Sequence, residues 1–194
     1  MNFTLNDENT DFWNAVRCLK DGKVLLYPSD TIWGLGCSTD FPEALDRLYE
    51  IKQRPGSKAA ILLVDSIDML KKYIDYIHPR VETLMGFHKR PLTVIYKHAQ
   101  NLDPRFTAQD GSIAIRVCED LFCKALIQEI KGPLVSTSAN FNGIDAPAHF
   151  GEIDPLLIQQ VDYVVKYRQE DTSKNQVSSI IRFDPEGELE FIRM

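Results

Sequence analysis

The stretch SIAIRVCEDLFCKALIQEIKGPLVSTSAN, residues 112–140, decides the fold. Its opening residues alternate, Ile113, Ile115 and Val117 on one face and Ser112, Ala114 and Arg116 on the other. That is the period of a β-strand rich in branched side chains. From Asp120 to Ile130 the pattern becomes helical, with Leu121, Ala125 and Leu126 facing inward. Gly132 and Pro133 stop the helix, and Leu134 and Val135 open a second strand that ends in Ser136, Thr137 and Ser138.

The same interleaving continues in both directions. Residues 11–21 predict a helix with Phe12, Val16 and Leu19 near helical spacing and Gly22 as its stop. Lys23 to Tyr27 is a short apolar strand, followed by a loop. Pro42 to Lys52 is a helix with Pro42 in its first turn, and Ala59 to Val64 is a strand. Helices are expected around 66–75 and 79–88, then a strand at Leu92–Lys97. Towards the C-terminus, Val161–Tyr167, QVSSIIRF (176–183) and ELEFIR (188–193) read as strands. Arg168 to Gln176 holds no apolar residue and reads as an exposed loop. With no repeat and no linker, residues 1–194 are expected to form a single domain, an α/β fold with a twisted mixed β-sheet and flanking helices.

Composition narrows the class. Apolar residues make up 44% and charged residues 26%, ordinary for a soluble globular protein. No apolar run is long enough for a transmembrane helix, and MNFTLNDENTDF has neither a basic n-region nor an apolar h-region. A cytoplasmic protein without a membrane partner is therefore expected. Cys18, Cys37, Cys118 and Cys123 form no C-x-x-C pair and read as buried, reduced thiols. Net charge is −6, yet Lys52, Arg54, Lys58, Lys89, Arg90 and Arg116 cluster beside the motifs below. They imply a basic concave cleft in an acidic protein, suited to a polyphosphate more than to a duplex.

Four segments can carry chemistry. YPSDTIWGLGC (27–37) follows a strand with hydroxyls and glycines, letting backbone N–H groups approach an anion; a plain turn would use the same residues. Lys52 and Arg54, with Lys58 beyond, can converge on phosphates if the helix unwinds before Pro55, or simply offset the helix dipole. Ser136, Thr137, Ser138 and Asn140 gather at a strand end, where α/β sheets commonly bind ligands. Arg116 either faces solvent with Ser112 and Ala114 or reaches a carboxylate in a cleft. There is no P-loop, G-x-G-x-x-G, G-x-S-x-G or H-E-x-x-H, and the four histidines are scattered. Chemistry must then run on positioned charges and donors, with magnesium as a candidate cofactor.

In this order, the segments resemble the YrdC-like family of threonylcarbamoyl-AMP synthases. YPSDTIWGLG is similar to the family's Y-P-T-D-T-x-Y-G-L-G, KQRPGSK to K-x-R-P-x-x-K, and SIAIRV to its A-x-R strand. GPLVSTSANFNG is similar to P-L-x-S-T-S-A-N, and VSSII to P-S-x-I. The matches run from residue 27 to 181, and the length resembles the short stand-alone bacterial form.

The resemblance implies a reaction in which L-threonine, bicarbonate and ATP give threonylcarbamoyl-AMP and pyrophosphate. A tRNA-modifying transferase complex would then take the product to an adenosine beside the anticodon, with weak tRNA binding by this chain. By motif position Thr31, Arg116, Ser136 and Ser178 would hold threonine. Lys52, Arg54, Lys58, Ser112, Ser138 and Asn140 would hold ATP, with Lys52 and Arg54 catalytic. The chain departs from the pattern at Lys89-Arg90-Pro91-Leu92-Thr93, where the family often has P-G-P-x-T. It departs again at Leu63, Trp33, Val177 and the polar 168–176 loop. The rival readings are a same-fold paralogue using another amine or carbamoyl source, and a non-catalytic RNA-binding module.

Overall fold

A computed structural model of the protein describes residues 10–53, 60–87, 90–173, 177–183 and 188–193. The chain opens with helix α1 (Thr10–Lys20), which buries Phe12, Ala15, Val16, Cys18 and Leu19. Its stop is Gly22 at φ +68°, where an added Cβ would lie 2.9 Å from the Phe41 ring, so only glycine fits. Strand β1 (Leu25–Tyr27) follows, then β2 (Gly34–Gly36), α2 (Pro42–Ile51), β3 (Ile61–Val64), α3 (Ile67–Leu70) and α4 (Pro79–Phe87). The second half runs β4 (Leu92–Tyr96), β5 (Ile113–Val117), α5 (Leu121–Ile130), β6 (Leu134–Ser138), α6 (Pro155–Ile158), β7 (Tyr163–Val164), β8 (Ser179–Phe183) and β9 (Leu189–Arg193).

Among the described residues the strands form one mixed sheet in the order β7-β1-β2-β6-β3-β5-β4-β8-β9. The β1–β7, β3–β5 and β4–β8 pairs are parallel, and the others antiparallel. Helix α1 packs on α5 and against β1 and β7, while α5 also meets β3. Leu26, Leu62, Ile115 and Val135 of the strands and Leu126 of α5 are all essentially inaccessible. No described helix is long and apolar enough to cross a membrane.

Several expectations change: the helix expected around 66–75 shortens to the four residues of α3 and the strand at Val161–Tyr167 to the two of β7, and three other regions differ in kind. The loop after Tyr27 contains β2, which lies between β1 and β6 and pairs with both. Glycines hide it from propensity, but they are what the position requires: a Cβ on Gly36 would sit 2.5 Å from the Val135 carbonyl and 2.7 Å from the Tyr27 ring. In α5, Leu121 is 66% exposed, because it directly follows the N-cap, where the Asp120 carboxylate accepts from the Cys123 N–H at 2.9 Å. Phe122, Cys123, Leu126, Ile127 and Ile130 form the buried stripe instead. Finally, Arg168 is drawn in from its polar loop, pairing with Asp120 at 2.8 Å and lying 5.1 Å over the Tyr167 ring.

Candidate active site

Ile61, Ala114 and Ser136 pair across the central strands and share one sheet face, and a cavity of about 410 Å³ lies on it. Ile61, Ile95, Ala114 and Ile180 form its floor, and Trp33, Val177 and Ile192 contribute to its walls. Trp33 packs on Phe150 with ring centroids 4.8 Å apart. Thr31, Ser112, Arg116, Ser136, Ser138 and Ser178 all line this cavity. The structure thus brings together six residues drawn from four separate sequence segments.

Arg116 is the centre of one end. It is only 3% exposed, so its face is a cleft rather than a solvated side. Its Nη2 lies 3.0 Å from the Asp30 carboxylate, and its Nη1 donates to Thr31 Oγ1 at 3.3 Å. The Nε has no partner among the described residues. Directly behind, the Ser29 hydroxyl donates to the Ile32 carbonyl at 2.8 Å. Since that uses the only proton on Ser29, its 2.9 Å contact with Thr31 Oγ1 must be a donation from Thr31. A directed chain therefore runs from Arg116 through Thr31 and Ser29 to a backbone carbonyl, and Thr31 can only accept from a ligand.

Ser178 closes the same end. Its hydroxyl lies 2.9 Å from Thr93 Oγ1 and accepts from Arg193 Nη2 at 3.2 Å, while Arg193 Nε donates to the Ser178 carbonyl at 3.0 Å. Burial, and secondarily the like charge of Arg116, pull the Arg193 pKa down, which still leaves a guanidinium charged at neutral pH. Arg193 lines the cavity and forms no carboxylate pair among the described residues. Sequence reading missed it because a lone arginine at the end of an alternating strand carries no local signal. Thr93 was visible only as part of a motif departure.

Lys52 and Asn140 behave differently. Lys52 caps α2 just as the helix ends, and Gln53 follows at φ +51°, so the helix does unwind before residue 54. Yet Lys52 is 3% exposed and does not line the cavity. Its ammonium donates to the carbonyls of Ser138 at 2.5 Å and Asn140 at 2.7 Å, and lies 3.5 Å from the Asn140 amide oxygen. The Asn140 side chain in turn donates to the carbonyls of Phe141 at 3.1 Å and Ile144 at 2.5 Å. Lys52 and Asn140 hold the turn that presents Ser138. Arg54, Lys58 and Lys89 lie outside the described residues, and Arg90 lines a separate cleft with Asp65, Glu82 and Glu119. Among the described residues no three His, Cys, Asp or Glu side chains gather to hold a metal ion.

The family model described as telomere recombination (Sua5, YciO and YrdC) matches residues 17–194. The chain belongs to the Sua5/YciO/YrdC family. The threonylcarbamoyl-AMP synthase of Pseudoalteromonas translucida (strain TAC 125) is 38% identical over 154 residues, 78% of this chain and 82% of that protein. Its counterpart in Vibrio campbellii (strain ATCC BAA-1116) is 32% identical over 173 residues, 88% of this chain and 92% of the relative. Among solved structures, E. coli YciO superposes with a TM-score of 0.79 at 22% identity, covering 97% of this chain and 90% of that one. P. abyssi Sua5 complexed with L-threonine gives 0.77 at 21%, covering 89% of this chain and 50% of the other. At those identities the Sua5 and YciO structures establish the fold.

Proposed function

We propose that this protein is a threonylcarbamoyl-AMP synthase, making threonylcarbamoyl-AMP and pyrophosphate from L-threonine, bicarbonate and ATP. One observation carries the reading: a buried guanidinium, Arg116, with an unfilled Nε, set among the hydroxyls of Thr31, Ser136 and Ser178 in one cavity. A carboxylate suits Arg116, and an amine or hydroxyl suits the accepting oxygen of Thr31. Those are the groups of threonine.

In the reaction, the threonine nitrogen bonds to the carbon of bicarbonate-derived carbon dioxide and gives up a proton, forming a carbamate. A carbamate oxygen then attacks the α-phosphorus of ATP. The bond from that phosphorus to the bridging oxygen breaks, and pyrophosphate leaves with the electron pair. No covalent bond to the protein is needed, so catalysis rests on positioning and charge neutralisation. Arg116 and Ser178 hold the amino acid, and Ser112 and Ser138 offer hydroxyls to the nucleotide. Arg193 supplies a cation to the oxyanions in the cavity, while Arg54 and Lys58 are proposed for the phosphates from their motif positions. Lys52 acts through the turn it holds. Magnesium, arriving with ATP, would add to the neutralisation of phosphate charge that Arg54, Lys58 and Arg193 are proposed to supply.

The product would pass to a tRNA-modifying transferase complex in the cytoplasm, with weak tRNA binding here. The test is a reaction with carbon-13 bicarbonate, threonine and ATP, read by mass spectrometry. An adduct of threonine and AMP carrying the heavy carbon is expected. Adenylation of a different amine would instead identify a paralogue, and tRNA binding with no adduct from any amine would identify a binding module.

A further inference from the structure

Asp30 sits one residue before Thr31 and touches neither a floor nor a wall of the main cavity. Its side chain is 11% exposed and that of Arg116 4%, so the pair they form at 3.0 Å is almost wholly withdrawn from water. The second carboxylate oxygen accepts from the Glu119 backbone N–H at 3.3 Å, tying Asp30 to the segment that follows β5. Arg116 is thereby held from two sides, by Asp30 on Nη2 and by Thr31 on Nη1. Thr31 is itself fixed, since its N–H donates to Ser29 Oγ at 3.1 Å and its hydroxyl donates to the same atom. The Asp30 contact is also poorly aligned, close enough for an ion pair but outside hydrogen-bond geometry. It neutralises the guanidinium from Nη2, while the buried Nε has no partner among the described residues.

We propose that Asp30 is the positioning residue of the carboxylate clamp: by pairing with Nη2 it fixes the Arg116 plane, and so the edge that the guanidinium presents to a substrate carboxylate in the cavity. Two opposed effects follow from this geometry. Asp30 is a negative charge near the incoming carboxylate, which on Coulomb grounds alone weakens binding. It also prevents a buried, flexible guanidinium from swinging towards other acceptors, and a displacement of about 1 Å at such a site can cost on the order of 100-fold. Because both partners are buried and the arginine has few alternative anions, aim outweighs repulsion. This inference rests on the proposed threonine-binding role of the cavity.

The experiment compares binding of L-threonine and L-threonine amide, which lacks the carboxylate charge, by calorimetry in wild type and in Asp30→Asn. Wild type is expected to prefer threonine strongly, and the variant's preference to fall roughly tenfold or more, with ATP affinity unchanged. A merely structural role would weaken both ligands alike and leave the ratio intact. If Asp30→Asn retains the wild-type ratio, or binds threonine more tightly, the positioning role is wrong. If wild type itself fails to discriminate between the two ligands, the proposed substrate reading fails instead. Should the thermal melt show that Asp30→Asn does not fold, Asp30→Glu serves. It keeps the charge but shifts it, so an intermediate ratio is expected and an unchanged one overturns the proposal.

Discussion

Arg116 and Lys52 are equally buried, at 3% exposure each, yet they are used in opposite ways. Arg116 is paired with a carboxylate, lines the cavity and leaves its buried Nε without a partner among the described residues. Lys52 spends its ammonium on the carbonyls that end β6 and stays behind the cavity wall. On the proposed reading, Arg116 meets the ligand and Lys52 shapes the backbone that presents Ser138. A motif cation therefore need not line the cavity, and burial alone does not separate the two arrangements. The partners do.

That contrast can be broken by substitution. Arg116→Ala should have the largest effect, raising the threonine requirement roughly 30-fold to 1,000-fold while ATP affinity changes little. It also strands Asp30, so a loss of about 3–5 kcal/mol in stability is expected. Steady-state kinetics with threonine and ATP varied in turn, together with a thermal melt, checks both; an unchanged threonine KM would remove Arg116 from the clamp. Lys52→Ala comes next. Turnover should fall at least about tenfold, and the melting temperature should drop on the order of 10 °C as the turn carbonyls lose their donor. A variant of full stability that loses only ATP binding would mean that the ammonium leaves the turn for phosphate. Arg193→Ala should cost roughly tenfold in kcat/KM, since its guanidinium forms no carboxylate pair among the described residues and is less enclosed. No change in kcat/KM would confine it to holding Ser178.

How far the sequence carried these two regions differs for physical reasons. The helices and most strands follow from periodicity, and the alternation of 112–117 correctly put Ser112, Ala114 and Arg116 on one face. It did not reveal that this face is a cleft, because that depends on distant segments, around Thr31, Ser136 and Ser178, converging on it. Strand β2 was hidden by Gly34 and Gly36, whose missing side chains make room for Val135 and Tyr27. Arg193 and Thr93 meet Ser178 through pairing of β9 and β4 with β8, a tertiary fact that no local pattern encodes. Asp30 stands within the 27–37 motif, but only the fold shows which arginine it faces.

The smallest effect lies in the helical side of the molecule. Burial raises the thiols of Cys18 and Cys37 from 9.0 to about 12. An acid whose folded pKa is raised stabilises the fold fully below its unfolded pKa, and that contribution disappears as pH climbs through the folded value. The melting temperature should then be insensitive to these thiols from pH 7 to about 9 and decline between about 9 and 12. In the lower range, changes in activity would belong to the cleft and its ligands. Rapid labelling of Cys18 or Cys37 by a thiol reagent in the native protein at pH 8 would contradict their burial.

The most direct test is pyrophosphate release by the wild-type protein, with each amino acid supplied singly, with and without bicarbonate. Release that requires both threonine and bicarbonate is the expected result. Release with another amine, or with threonine when bicarbonate is removed, would contradict the assignment of the Arg116 cavity to threonine and its carbamate.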